Sequence, residues 1–349
     1  MSERTGRPAD LGTLVLRRAR ARQRRRYRAV IGSLTAAVLV AGWLTLAWGT
    51  GAGEVVGHLG ELLGLPGAER SFAIRLRLPR AALSILVGIA FALAGGLFQS
   101  VLRNALASPD ILGVNAAASL AGAWAILVLG VSGALVSLAA FLGAVAVAAL
   151  IVVLAWRDGL SGLRFVLIGV GMAFVANAGI GYLLTRTEVN DARSALVWMV
   201  GSIGTPAWSA VATLAVALMV LVPLAALAVS RLRALDLGDD TASGLGVRAN
   251  RTRVLILVVA VALAAVATAF AGPIAFVAFV SAPIARRMLP ESGSALAPAA
   301  LIGALVVLLA GLVTDQLLAS FNIPVGIVTG AVGAPYLLWL LATSGRTRG

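Results

Sequence analysis

The 349-residue chain has no cysteine, no lysine, one histidine and only 14 acidic residues. Lack of cysteine excludes disulfides, thiolate metal sites and cysteine nucleophiles. The single histidine, His58, has no second member with which to build a histidine metal site or a proton relay. All 28 basic residues are arginine, so there is no Gly-Lys-Ser/Thr phosphate loop, and any ATP hydrolysis linked to this chain has to come from another one. Charged residues make up 12% of the chain and almost none falls deep in an apolar run, where a proton-coupled secondary transporter would carry its ionisable groups. An intramembrane hydrolase is no better served: no nucleophile with a base, no paired carboxylates and no metal cluster can be read from the sequence.

What the chain has in abundance is apolar surface. Apolar residues make up 60% of it, with 39 glycines and a mean hydropathy of +1.00, well beyond a soluble domain. A helix crosses about 30 Å of hydrocarbon with roughly 20 apolar residues. The sequence predicts about ten such spans: 29–48, 81–101, 111–131, 133–155, 165–184, 207–229, 254–272, 274–289, 297–317 and 324–342. The runs do not alternate polar with apolar residues, so helices rather than a closed barrel are expected, and the fold class is an all-α polytopic membrane protein. Gly272-Pro273 and Pro283 interrupt the eighth span, which predicts breaks there lined by protein or water.

Charge sets the orientation. Ten arginines lie between Arg4 and Arg28, and with a cytoplasmic N-terminus 22 of the 28 fall inside and six outside. The positive-inside bias therefore predicts a multi-pass membrane protein with both termini cytoplasmic. The expected organisation is a basic arm at 1–28, a transmembrane domain at 29–342 and a short tail at 343–349. The arm abuts the first span, where a topology determinant or a contact with anionic lipid is the expected role and nucleic acid is not an expected partner. The first apolar run is longer than a signal-peptide core and no small-residue cleavage motif follows it, so it is read as an uncleaved helix.

Four of the six outward arginines crowd together as Arg70, Arg75, Arg77 and Arg80. On spacing alone, snorkelling at a helix end is the stronger reading, with Pro79 simply starting the helix. The segment from Arg77 to Gly113 reads RLPRAALSILVGIAFALAGGLFQSVLRNALASPDILG. On the opposite side, the loop at 231–253 reads RLRALDLGDDTASGLGVRANRTR. Gly238, Asp239, Asp240 and Thr241 can start a short helix there, Gly246 can stop it, and Asn250 is expected to cap the next span. Leu237, Ala242 and Leu245 would give the short helix an apolar face. As a local structure this is equally a well-capped reversal between two membrane helices.

These segments, with AGPIAFVAFVSAPIARR at 271–287 and IPVGIVTGAVGAPYLLWLL at 323–341, resemble the permease subunits of iron-siderophore and vitamin B12 ABC importers, the FecCD type. The likeness runs from about residue 75 onward and is greatest to ferric-enterobactin (catecholate siderophore) permeases. Ala105 stands where the family pattern has proline, and Ala282-Pro283 where it has Pro-His. The resemblance implies a type II importer permease that is not itself an enzyme, binds no cofactor and uses ATP through a separate ATP-binding subunit. It implies three protein partners: that ATPase, a periplasmic or lipoprotein substrate-binding protein, and a second permease subunit, different or identical.

By the same resemblance, Arg77 and Arg80 dock the binding protein's carboxylates, for which a planar guanidinium suits. Leu237, Gly238, Asp239, Asp240, Thr241, Ala242, Leu245 and Gly246 form the segment that meets the ATPase. Some relatives carry a further docking arginine after the aspartate that ends the ninth span, but QLLASFNIP follows Asp315 here. The implied cargo is a ferric siderophore, with vitamin B12 or haem as the alternative. Gln99, Asn104, Ser108 and Asn115 are candidate pathway residues, although such groups more often bond between helices, at about 0.6 kcal/mol each. Gly326 and Gly330 make a GxxxG step, and Gly88, Gly95 and Gly96 thin one side of the second span. Asp315 is the acidic residue closest to being membrane-embedded, which hints at function, with helix capping or loop pairing as equal readings.

Overall fold

A computed structural model describes residues 8–48, 72–156, 162–235, 239–244, 248–289 and 295–344. The described residues form α1 (Pro8–Ala47), α2 (Phe72–Val101), α3 (Val114–Leu127), α4 (Ala134–Ala155), α5 (Gly162–Thr185) and α6 (Val189–Val200), and then α7 (Trp208–Leu235), α8 (Asp239–Gly244), α9 (Ala249–Ala271), α10 (Val277–Met288), α11 (Leu296–Leu312) and α12 (Val325–Ser344). No β-strand occurs among them. Among the described residues, seven helices are long and apolar enough to cross a bilayer. The chain is an all-helical, multi-pass membrane protein.

Burial orders the bundle. Among the seven spanning helices α2 is the most enclosed and α9 the next. These two pack together, with α11 and α10 against α2, α7 and α4 against α9, and α1 lying on α11. Phe91, Phe98, Leu257 and Leu263 fill the seam with almost no exposure. Lipid is as apolar as leucine, so close backbone approach rather than water exclusion drives such contacts. Gly88 of α2 faces Gly303 of α11 so closely that a Cβ on either would overlap the other's backbone, and a Cβ on Gly95 would overlap the Ala278 carbonyl of α10. The expected thinning of span two is therefore present, and α10 and α11 use it. The GxxxG step is used at one position only: Gly326 lies on the carbonyl of Val200, while Gly330 faces open space.

Several spans differ from the sequence expectation. α1 is one helix of 40 residues, about 60 Å at 1.5 Å per residue, and joins the last part of the basic arm to the first span without a break. α2 begins at Phe72, so Pro79 lies inside the helix and does not start it. α3 has 14 residues and α10 has 12, roughly 21 and 18 Å, too short to cross the hydrocarbon. In compensation, the segments before them, 102–113 and 272–276, enter the bundle as irregular backbone. The break expected at Gly272-Pro273 is there, with Gly272 at φ 66, but α10 continues through Pro283.

α6 is absent from the sequence reading. It follows Glu188, carries Asp191 in its first turn and ends at Gly201, whose φ is 85. The chain also departs from α-geometry at the end of α11, where Val313–Leu317 winds as a π-helix.

Contacts between elements define two faces. Arg287 near the end of α10 donates to Thr343 of α12, and Leu34 of α1 packs with Ala285 of α10 and Ala299 of α11. This face therefore carries the first half of α1 and the end of α12. The opposite face gathers the end of α1, the start of α2, the end of α11 and the 201–207 segment.

Candidate functional site

The site is built where the start of α2 meets the ends of α1 and α11. Arg77 and Arg80 are one helical turn apart and so share a side of α2. Arg77 Nη1 donates to the carbonyls of Leu46 at 3.0 Å and Trp48 at 2.7 Å. Those are among the last carbonyls of α1, which have no donor within their own helix, so Arg77 acts as a C-terminal cap supplied by a neighbouring helix. Arg80 Nη2 lies 2.5 Å from Asp315 Oδ1. Asp315 belongs to the π-helical turn, which changes its direction relative to the α-helical residues before it. Of the readings left open for this carboxylate, pairing is the one realised, and the partner is a side chain of α2.

Around this pair lies an open cleft of about 550 Å³, whose walls include Thr45, Val197, Ser202, Gln316 and Asn322. A second hollow of about 490 Å³ adjoins it, sharing Val197 and Ser202 and adding Arg193, Trp198 and Phe270. Ser202 is held in place because its backbone N–H donates to the Ala271 carbonyl at 2.7 Å. The last turn of α9 is thereby tied to the wall of the cleft. This face offers three guanidinium groups, those of Arg77, Arg80 and Arg193, with several hydrogen-bonding side chains and an aromatic flank, which suits an acidic surface better than an apolar one.

On the other face, the 231–253 loop does contain a short helix, α8, with Asp239 and Asp240 in its first turn. Thr241 and Gly244 are exposed, whereas Ala242 is completely buried in this chain. The Ala242 side chain is thus turned inward within this chain. Leu237, Gly238, Leu245 and Gly246 lie outside the described residues. Arg248, not Asn250, occupies the N-cap position of α9; Asn250 sits inside the first turn.

The four polar candidates between these faces have distinct surroundings. Asn104 is exposed and its Oδ1 accepts from the Leu106 N–H at 2.9 Å, an Asx turn. Ser108 is buried, and its carbonyl accepts from the Leu112 N–H. Asn115, also buried, donates to Asp110 and accepts from Thr268 Oγ1 at 3.2 Å, linking the 102–113 turn to α9. Asp110 in turn accepts from the backbone N–H of Phe276, the residue before α10. Phe276 has a φ of 66, a left-handed conformation that a bulky residue adopts only where its surroundings impose it. Asp110 is a residue the sequence reading passed over, although it closes the ASPD run; its chemistry became visible only when Phe276 was placed beside it.

Gln99 is buried, its Nε2 donating to the Phe279 carbonyl at 3.0 Å and its Oε1 accepting from Arg286 Nη1 at 3.0 Å. The first bond has a specific cause. In a regular helix the Phe279 carbonyl accepts from the N–H of residue 283, but residue 283 is proline and has none. Gln99 supplies the missing donor from α2. This explains how α10 runs through Pro283 unbroken and gives Arg286 a fixed place.

Comparison with known proteins agrees with these motifs. The FecCD transport family matches residues 32–343. The chain is 37% identical to the ferric enterobactin transport system permease protein FepG of Escherichia coli (strain K12), over 90% of this chain and 96% of that one. It is 35% identical to the Fe(3+)-citrate import system permease protein YfmE of Bacillus subtilis (strain 168), over 82% and 86%. With the hemin transport system permease protein HmuU of Yersinia pestis it shares 30% identity over 89% and 91%. A solved structure of a metal-chelate type ABC transporter in an inward-facing conformation superposes with a TM-score of 0.74 at 25% identity, covering 90% of this chain and 99% of that one.

Proposed function

The chain belongs to the FecCD transport family, and from that premise we propose that it is the membrane-spanning permease subunit of an ATP-binding-cassette importer that carries ferric siderophore complexes across the bacterial cytoplasmic membrane. The observation that carries the reading is a family match over residues 32–343, joined by relatives whose names specify ferric enterobactin and ferric citrate. Both termini lie in the cytoplasm, as the arginine distribution favours. A separate ATPase supplies the energy, since this chain has no lysine for a phosphate loop. A substrate-binding protein delivers cargo at the Arg77–Arg80 cleft, and a second permease subunit, different or identical, completes the conduit.

The geometry supports a route for the coupling. α8 contacts both α7 and α9 on the cytoplasmic face. α9 is a buried rod of 23 residues, about 35 Å, whose last carbonyl holds Ser202 in the wall of the docking cleft. Movement of α8 against the ATPase is thereby passed along α9 to the opposite face. On the way, the Thr268–Asn115–Asp110 chain transmits it to the Phe276 corner at the head of α10.

Ferric siderophores are large and already fully coordinated, so the conduit has to provide width rather than metal ligands. A haem cargo is the second reading, carried by the hemin permease among the relatives. Deleting the gene and measuring accumulation of radioactive iron from ferric enterobactin, ferric citrate and haem separates the two. Loss of ferric enterobactin or ferric citrate uptake, with haem uptake intact, is expected; loss of haem uptake alone would replace the cargo assignment.

A further inference from the structure

The docking cleft already holds a carboxylate where an acidic partner would place its own. Asp315 pairs with Arg80, while Arg77 is committed to the Leu46 and Trp48 carbonyls. Both guanidinium groups are therefore occupied by acceptors of this same chain, but the two commitments differ in kind. The carbonyls held by Arg77 end a transmembrane helix and have no other donor within it. The Arg80–Asp315 pair joins two side chains that are 24% and 23% exposed at the edge of an open cleft. A competing anion can reach it. In addition, the Arg80 Nε is buried and has no acceptor, so the pair leaves the guanidinium incompletely satisfied. The buried Nε is closed to the cleft, so a carboxylate arriving there competes for the terminal N–H groups that Asp315 now holds.

We infer that Asp315 is a built-in competitor, an internal stand-in for the carboxylate of the docking protein that must be displaced before Arg80 can be engaged. The inference rests on the assignment of Arg80 as a docking residue. Docking is then an exchange of one carboxylate for another, and its strength is set by the difference between the two pairings rather than by the full strength of either. Neutral and basic surfaces are rejected, because displacing Asp315 without replacing its charge leaves Arg80 half-buried and unpaired. Release of Asp315 also frees the π-helical end of α11, the helix that packs on α2 through Gly88 and Gly303. Arrival of the partner is in this way felt in the bundle.

The test uses the full chain in lipid nanodiscs and the variant Asp315→Asn, which keeps the shape of the side chain and removes its charge. Two readouts are taken: phenylglyoxal labelling of Arg80 relative to Arg77, followed by mass spectrometry, and binding of a fluorescent hexaglutamate peptide with hexaglutamine as control. In Asp315→Asn the Arg80 labelling should rise several-fold and hexaglutamate binding should tighten on the order of tenfold at low salt. Asp315→Glu should restore wild-type behaviour in both. Unchanged Arg80 labelling overturns the competitor while leaving the docking assignment standing. Increased labelling with no hexaglutamate binding to either chain overturns the docking assignment, and the competitor with it.

Discussion

Changing both Arg77 and Arg80 to glutamine should abolish the stimulation of ATP hydrolysis by the substrate-binding protein, by a factor of ten or more, while leaving assembly with the ATPase intact. The size follows from the loss of both guanidinium charges from the cleft, Arg80 contributing the difference between its pairing with the partner and its pairing with Asp315. A second effect has the same sign. With Arg80 neutral, Asp315 is left as an uncompensated carboxylate in the cleft, and it repels the acidic partner that Arg80 attracted. Glutamine is the better replacement because glutamate at both positions would set three carboxylates side by side and confound docking with local unfolding. The measurement is ATPase activity of the reconstituted complex with and without binding protein, checked by co-purification of the ATPase. Normal stimulation in the double variant would refute the docking role. Arg77→Gln alone should also reduce thermal stability, because it uncaps the end of α1; Arg80→Gln alone should do so less.

The second large effect is expected at Gln99. Gln99→Leu preserves bulk but strands the Phe279 carbonyl, left without a donor by Pro283, and the Arg286 guanidinium. An unmet buried hydrogen-bonding group costs about 1–3 kcal/mol, and a charged one more. The variant should therefore lower the melting temperature of the purified chain by several degrees and reduce transport. A second substitution distinguishes this cause from simple loss of packing. Pro283→Ala returns an N–H to position 283, which can bond the Phe279 carbonyl within α10, so Gln99→Leu with Pro283→Ala should recover part of the lost stability. Recovery is partial because Arg286 remains unpaired. If Pro283→Ala gives no recovery, Gln99 does not act by replacing the donor that proline lacks.

How far the sequence alone reached depends on whether the relevant physics was local. Long apolar runs announce themselves, and α4, α5, α7, α9 and α11 fall close to where hydropathy placed them. Arg77 and Arg80 were singled out by the resemblance of their segment to the family pattern, since their spacing alone favours snorkelling at a helix end. Asp315 could be recognised as out of place in apolar sequence, but its partner is 235 positions earlier, since Arg80 and Asp315 meet only through the packing of α2 and α11. Similarly, Gln99 was a candidate pathway residue with bonding between helices as the commoner role, and the second is the one the structure shows. Its neighbours Phe279 and Arg286 come from a helix 180 residues away, and only their placement shows what the amide bonds to.

The misjudged elements have equally physical reasons. α6 is short and carries Glu188, Asp191 and Arg193 around its start, so a search for membrane-length apolar runs passes over it. An acidic start followed by Gly201 was the available signal. Pro79 and Pro283 were read as a helix start and a break, yet both are accommodated inside helices; in the second case a side chain from α2 makes good the lost bond. α3 is shorter than its apolar sequence because the 102–113 turn is drawn into the bundle, with Gly113 at φ 76 against the carbonyl of Gly169. Apolar composition reports depth in the membrane but not whether the backbone at that depth is helical.

The central claim is that this chain forms part of a conduit and takes its energy from one partner and its cargo from another. Accumulation of radioactive ferric enterobactin in sealed vesicles tests it most directly, comparing the purified chain alone with the chain reconstituted with its ATPase, binding protein and partner permease in the presence of ATP. The account predicts concentrative uptake only with the complete assembly and ATP, and none by the chain alone. Sustained uphill accumulation by the chain alone would contradict it.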